Sequence, residues 1–131
     1  MKILKPNNVY ASPRYAPGIL AGNTIYTAGR IPIDADGNIV APHDARAQTE
    51  QILDCIEAIL AEGGAGLKNV VNIHTYYLVE EDMPAIFEVL HARVGPYLPP
   101  HTGSHQSSSS WEERGIRLEL EITAVIEDRN E

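Results

Sequence analysis

The residues Ile116-Arg-Leu-Glu-Leu-Glu-Ile-Thr-Ala-Val-Ile126 change side-chain character at nearly every step. Ile116, Leu118, Leu120, Ile122 and Ala124 fall in one set, and Arg117, Glu119, Glu121 and Thr123 in the other. A helix would scatter the apolar set around its axis, whereas an extended chain collects it on one face, so the run reads as a half-buried strand. One side of that strand must bury itself against a second layer. The other side presents two carboxylates and a guanidinium in a row. A Pro99-Pro100 bend and the polar segment His101-Thr-Gly-Ser-His-Gln-Ser-Ser-Ser-Ser110 precede it, and a charged row beside a polar loop is where function is sought first.

The rest of the chain supplies the second layer. Residues Lys5 to Gly18 are rich in proline and read as an irregular lead-in carrying Arg14 and Tyr15. Ile19 to Gly29 reads as a hairpin in which Gly22-Asn23 supplies the positive φ angles of a two-residue turn. Asp34-Ala-Asp-Gly37 resembles a fragment of a calcium loop, but the remaining ligands and the distal glutamate are missing, so an ordinary turn is expected. From Asp44, an N-cap, a helix carries Ile52, Leu53, Ile56, Ile59 and Leu60 at three- and four-residue spacing until Gly63-Gly64 ends it. Lys68 to Val79 reads as a strand with Val71, Ile73, Thr75 and Tyr77 on one side and Asn72, His74, Tyr76 and Leu78 on the other. Asp82 then caps a second helix with Pro84 in its first turn and Ile86, Leu90 and Val94 as its stripe, stopped by Gly95.

This order predicts a single α+β domain over residues 1–131, with both helices on one face of a mostly antiparallel sheet. The opposite face would carry Tyr26, His74, Tyr76, Leu78 and Val125 among Arg117, Glu119 and Glu121, a mixture too apolar for open solvent and too charged for a core. Such a face suits an interface between subunits with clefts in it. The net charge of −8 and singly scattered basic residues argue against a nucleic-acid groove or an anionic membrane surface as partner. No apolar run approaches the length of a membrane span, and the first residues lack the apolar core of a signal peptide, so a soluble cytoplasmic protein is expected. The lone Cys55 reads as a small buried hydrophobe rather than a reactive thiol.

The motifs Tyr15-x-x-Gly18-x-x-x-Gly22-Asn23, Thr27-Ala-Gly-Arg-Ile-Pro32, Ala47-Gln-Thr49, Pro99-Pro100 and Glu-Leu-Glu-Ile occur in order across residues 10 to 126. Together they resemble the reactive-intermediate deaminase (Rid, YjgF-type) family. The resemblance implies a chorismate mutase-like fold, a homotrimer with clefts between subunits, and cofactor-free hydrolysis of enamine and imine acids to a 2-oxo acid and ammonia. It implies, further, that the family's lead-in tyrosine is Tyr15, and that its strand glutamate is Glu119, or Glu121 if the register is off by two. The family's Ser-Gly-Gln turn falls on Ala28, Gly29 and Arg30, its pocket asparagine on Phe87, and its carboxylate-gripping arginine on Thr102. No arginine lies between Gly95 and Glu113. Because a bidentate guanidinium is the natural holder of a carboxylate, that loss points away from the simplest 2-imino acids as substrates.

Glu119 is read as the catalytic group, activating water for attack on an electrophilic carbon, against the alternative of an ion pair with a neighbour's Arg117. By the family resemblance Tyr15, Ala28, Gly29, Arg30, Phe87 and Thr102 are the substrate-binding positions, joined by His101 of the polar segment, with the alternative for Tyr15 that it packs the lead-in against a neighbouring subunit, and for Arg30 that it is a solvated surface charge. Arg14 or Arg30 could swing into the cleft to replace the missing guanidinium. His101 and His105 would stand about 13 Å apart in extended chain, so no metal site is assigned and a ligand hydrogen bond from His101 or Thr102 is preferred. For His74, a buried hydrogen bond to a strand neighbour is preferred over catalysis. The expectation is a trimeric hydrolase of imines, enamines or related C–N electrophiles with a small-molecule substrate and no cofactor. The alternatives are a non-catalytic metabolite-binding trimer and a pathway-specific enzyme acting on a ring or amide.

Overall fold

In the computed structural model, which describes residues 1–127, the alternating run forms a central strand, β6 (Leu118–Val125). The other strands are β1 (Lys2–Leu4), β2 (Gly18–Ala21), β3 (Thr24–Thr27), β4 (Val70–Tyr77) and β5 (His101–His105), and the sheet order is β1-β2-β3-β6-β4-β5. Helices α1 (Ala45–Glu62) and α2 (Met83–Arg93) cover one face, and a short α3 (Ser109–Arg114) leads into β6. Leu118, Leu120, Ile122 and Ala124 are buried beneath the helices together with Ile25 and Ile73. Ile52, Leu53, Ile56, Ile59 and Leu60 of α1 and Ile86 and Leu90 of α2 close over them. Each such side chain contributes about 1.5–3 kcal/mol of apolar burial, which is why the stripes set the layer order.

Local signals place the ends of these elements. The Asp44 carboxylate accepts from Ala47 N at 3.0 Å and so caps α1, while Gly63 and Gly64 terminate it. In the β2–β3 turn only Gly22 takes a positive φ, of 61°; Asn23 does not, so one of the two expected left-handed residues suffices. The Asp34 carboxylate accepts from the backbone of Asp36 and Asn38, making the ordinary turn expected there. Ser108 caps α3 by accepting from Trp111 N at 3.1 Å, and Gly115 stops it with φ 75°. Gly115 must be glycine, since a Cβ there would stand 2.6 Å from Pro42 Cβ.

Four details differ from the sequence reading. His101–His105 is not a loop but an edge strand, and it runs parallel to β4, so the sheet is mixed. A register shift between Val70 and Asn72 turns Val71 outward, and Leu78, beyond the end of β4, is buried instead of lying open on the far face. Asp82 precedes α2 without capping it: its carboxylate instead receives Arg117 Nε at 2.7 Å in a largely buried ion pair. Arg117 therefore has an ion-pair partner within its own chain.

Gln48 holds this arrangement together at the start of α1. It is fully buried, and its Nε2 donates to Val40 O, Ala41 O and Gly115 O while its Oε1 accepts from Arg117 N. One side chain thereby ties the loop before α1 to the residues that lead into β6.

Candidate functional site

Glu119 sits on the sheet face opposite the helices, between core residues Leu118 and Leu120 and across from Tyr76. The space for its carboxylate is made by a local departure from pairing. The β3–β6 ladder ends at Tyr26 opposite Thr123, and the Thr27 hydroxyl then substitutes for the backbone, donating to Ile122 O and accepting from Ile122 N. Pairing resumes at Arg30, which exchanges backbone hydrogen bonds with Leu120 at 2.7 and 3.1 Å. Between these points Ala28 and Gly29 pass beside Glu119. A Cβ on Gly29 would fall 2.7 Å from Glu119 Cδ and 2.9 Å from its Oε1, so the carboxylate packs directly on a glycine backbone.

The Glu119 carboxyl titrates above its ordinary value because burial disfavours the charged form and because Glu121 repels it. No hydrogen bond or ion pair from another described residue offsets either effect. Glu121, by contrast, is exposed and accepts from the Tyr76 hydroxyl at 3.0 Å, a bond that raises the tyrosine's own pKa. A half-shielded, unengaged carboxylate with a raised pKa is the form expected of a general base, and of the two glutamates only Glu119 has it.

The remaining open face is a connected polar ladder. His74 Nε2 lies 2.8 Å from Ser104 Oγ, and the His74 ring stacks on Tyr76 with centroids 4.1 Å apart and planes 7° from parallel. Thr102 lies opposite His74 on the same face and is exposed. His74 thus makes the strand-neighbour hydrogen bond expected of it. In the sequence Ser104 reads only as a companion of His101 and His105 in a polar segment, because the side it takes depends on the pairing of strand β5.

Other sequence candidates lie elsewhere. His101 pairs opposite Ile73 on the helix side, where its Nε2 is 2.9 Å from Thr75 Oγ1 and its ring is 4.9 Å from Phe87. Burial and the nearby His74 lower its pKa. Within one chain, Phe87 and His101 are therefore separated from Glu119 by the sheet. Arg30 is 4 % exposed, and its Nη2 donates to Tyr10 O, also away from Glu119. Tyr15 and Arg14 are exposed on the lead-in and line a shallow groove with Ile3 and Lys5. Neither arginine enters the Glu119 space. Cys55 is half-buried on α1, receives Gln51 Nε2 at 3.3 Å, and has its thiol pKa pushed up by burial.

Among the described residues no group of three or more His, Cys, Asp or Glu could hold a metal ion, and no helix is long and apolar enough to cross a membrane. The closeness of Gly29 and Glu119 makes one consequence measurable. Gly29 has no left-handed φ, so alanine there strains only the carboxylate, and any reaction that Glu119 serves is expected to slow by about tenfold to hundredfold in Gly29→Ala. Steady-state kinetics beside a thermal melt checks this; unchanged kcat/KM would show that the carboxylate's position does not matter.

Residues 5–126 match the model of the endoribonuclease L-PSP family. A RutC family protein of Pyrococcus abyssi is 35% identical over 113 residues, covering 86% of this chain and 87% of its own. The 3-aminoacrylate deaminase RutC of Acinetobacter baylyi is 37% identical over 75 residues, covering 57% of this chain and 60% of that one. Among solved structures, Escherichia coli TdcF with bound serine superposes with a TM-score of 0.82 at 22% identity, covering 97% of this chain and 100% of that one. With the family model spanning nearly the whole sequence and the α+β architecture shared with solved YjgF-type structures, this chain is a member of the RidA/YjgF/L-PSP family, to which the RutC proteins belong.

Proposed function

We propose that this protein is a homotrimeric hydrolase of imines, enamines or related C–N electrophiles, in which Glu119 activates the attacking water. The single observation that carries the reading is the Glu119 carboxylate itself, half-shielded, seated on Gly29 and free of any described partner. In the reaction, the carboxylate takes a proton as the water oxygen bonds to the iminium carbon and the C=N electron pair returns to nitrogen. The proton then passes to that nitrogen, the carboxylate takes the remaining hydroxyl proton as the C–N bond breaks with its electron pair going to nitrogen, and a carbonyl compound and ammonia leave. A raised pKa suits both halves, since the same group must accept and then return a proton near neutral pH.

Family membership supports this chemistry. A relative bears the name 3-aminoacrylate deaminase, an activity on an enamine acid, and another family member holds serine, a small metabolite. The open sheet face supports the trimer: Tyr26 is 52% exposed on it, and Glu119 on the same face is already partly withdrawn from water. Phe87, which the sheet separates from its own chain's Glu119, and the exposed Tyr15 would then line a cleft completed by a neighbouring subunit. The second reading, a metabolite-binding trimer without turnover, is favoured by Thr102, which offers a hydroxyl in the place where the family resemblance implies a guanidinium.

Freshly generated imines, from an amino-acid oxidase and from an amine oxidase, test both readings. Ammonia or carbonyl release faster than in buffer, returning to the buffer rate in Glu119→Ala, is expected, together with a trimer by sedimentation. Tight ligand binding without acceleration on any imine would establish the binding reading instead.

A further inference from the structure

On the open face the strand register lines up two rows, Ser104–Tyr76–Glu119 and Thr102–His74–Glu121, running across β5, β4 and β6. Two interstrand spacings separate the ends of each row, about 9–10 Å between backbones. A long guanidinium at the β5 end could bridge much of that span and meet a short substrate near Glu119. The groups present at that end, Thr102 and Ser104, have side chains that stop one atom beyond Cβ. A molecule that touches Ser104 or Thr102 and Glu119 at once must therefore supply the missing length itself.

The Ser104 hydroxyl is held in place for such a contact. It lies 2.8 Å from His74 Nε2, His74 is stacked on Tyr76, and the Tyr76 hydroxyl donates to Glu121 Oε1 at 3.0 Å. Each link restrains the next, so little freedom remains for a ligand to remove at the hydroxyl. The charge along the rows is also one-sided. Glu119 and Glu121 face this side, Arg30 points to the other side of the sheet, and Arg117 is committed to Asp82. A carboxylate arriving at Ser104 would find hydroxyls and the His74 ring, while the guanidinium that alternates onto this face, Arg117, already holds Asp82; a neutral hydroxyl, carbonyl or amide would find a matched partner.

We infer that Ser104, held by His74, is a specificity-determining contact. It selects elongated C–N substrates whose reacting end lies at Glu119 and whose far end, on the β5 side, is a neutral hydrogen-bonding group. This rests on the reading of Glu119 as the site of hydrolysis. Ser104 touches the substrate, and His74 is a positioning residue acting through it.

The test uses three aldimines of matched length, made in situ by an amine oxidase from aminopentanol, hexylamine and aminopentanoate, so that only the far end changes from hydroxyl to methyl to carboxylate. Wild-type protein is expected to prefer the hydroxyl-ended imine about tenfold in kcat/KM over either of the others, the discrimination one well-placed hydrogen bond gives. Ser104→Ala is expected to bring the hydroxyl-to-methyl ratio close to one. His74→Phe, which keeps a ring against Tyr76 but drops the bond to Ser104, is expected to lower that ratio, and His74→Gln to restore part of it. A ratio near one in wild type, a preference for the carboxylate end, or an equal fall on all three imines in Ser104→Ala would overturn the inference. Titration calorimetry with the three parent amines reads the same ratio without chemistry. Discrimination by binding with no turnover would refute hydrolysis and uphold the contact, and no discrimination in either measurement would refute the contact.

Discussion

Glu119→Gln is expected to lower turnover of any imine substrate by about 10²–10⁴-fold while leaving the fold intact, because the amide keeps the shape of the carboxylate but cannot take a proton from water. The pH dependence carries the same signature. The carboxyl of Glu119 titrates above its ordinary value, and the base works only when ionised, so wild-type activity should rise with pH through a midpoint above the usual glutamate range and then level off. Stability has the opposite sign. A carboxyl whose pKa is higher in the folded than in the unfolded chain favours folding in its protonated form, and that contribution is lost as pH rises through the folded value. At neutral pH, Glu119→Gln should thus be as stable as wild type or more so, and it should remove the acid limb from any residual pH profile. A variant that loses activity only because it melts earlier would contradict this assignment, as would a wild-type profile flat from mildly acid to neutral pH.

The largest effect on stability is expected at Gln48. Leucine there has a similar volume, yet it strips hydrogen bonds from the carbonyls of Val40, Ala41 and Gly115 and from the amide of Arg117, all made by one fully buried side chain. Ala41 O and Gly115 O keep the backbone donors Asp44 N and His43 N, so Val40 O and Arg117 N are the groups left without partners, at about 1–3 kcal/mol each, and with the two weakened carbonyl contacts Gln48→Leu should cost about 3–5 kcal/mol. For a domain of this size that corresponds to a fall of about 10–20 °C in Tm, measured at one fixed protomer concentration because the melting point of the proposed trimer would depend on it. A loss below about 1 kcal/mol would mean that the loop and the start of β6 hold their places without this clamp. The residue also bears on the site, since it fixes the entry to the strand that carries Glu119.

Much of the scaffold was legible in the chain because its signals are local and repeat at one element's own period. The alternation from Ile116 to Ile126 is enough to separate Glu119 and Glu121 from the core residues between them, and the observed strand keeps that separation. The apolar spacing of α1, its Asp44 cap and its paired glycines likewise needed no knowledge of neighbours. Family motifs distributed from Tyr15 to the last strand pointed to the architecture in a different way, by resemblance to a known family.

What only the tertiary structure decided are the features whose energy comes from a distant partner. His101-Thr-Gly-Ser-His105 has neither β-branched enrichment nor an apolar face, and it becomes a strand because the exposed edge of β4 offers its backbone a ladder. That pairing alone puts Thr102 and Ser104 on the side of Glu119 and turns His101 toward Phe87. Arg30 reads as a surface charge or a ligand contact in the sequence, yet it is buried, because its backbone is matched to Leu120 and the carbonyl of Tyr10 receives its guanidinium. Arg117 seems free until Asp82, from another element, is seen to hold it. A period can be read along one segment, but the side on which a polar or charged group ends depends on the register between segments and on which partner can replace its water.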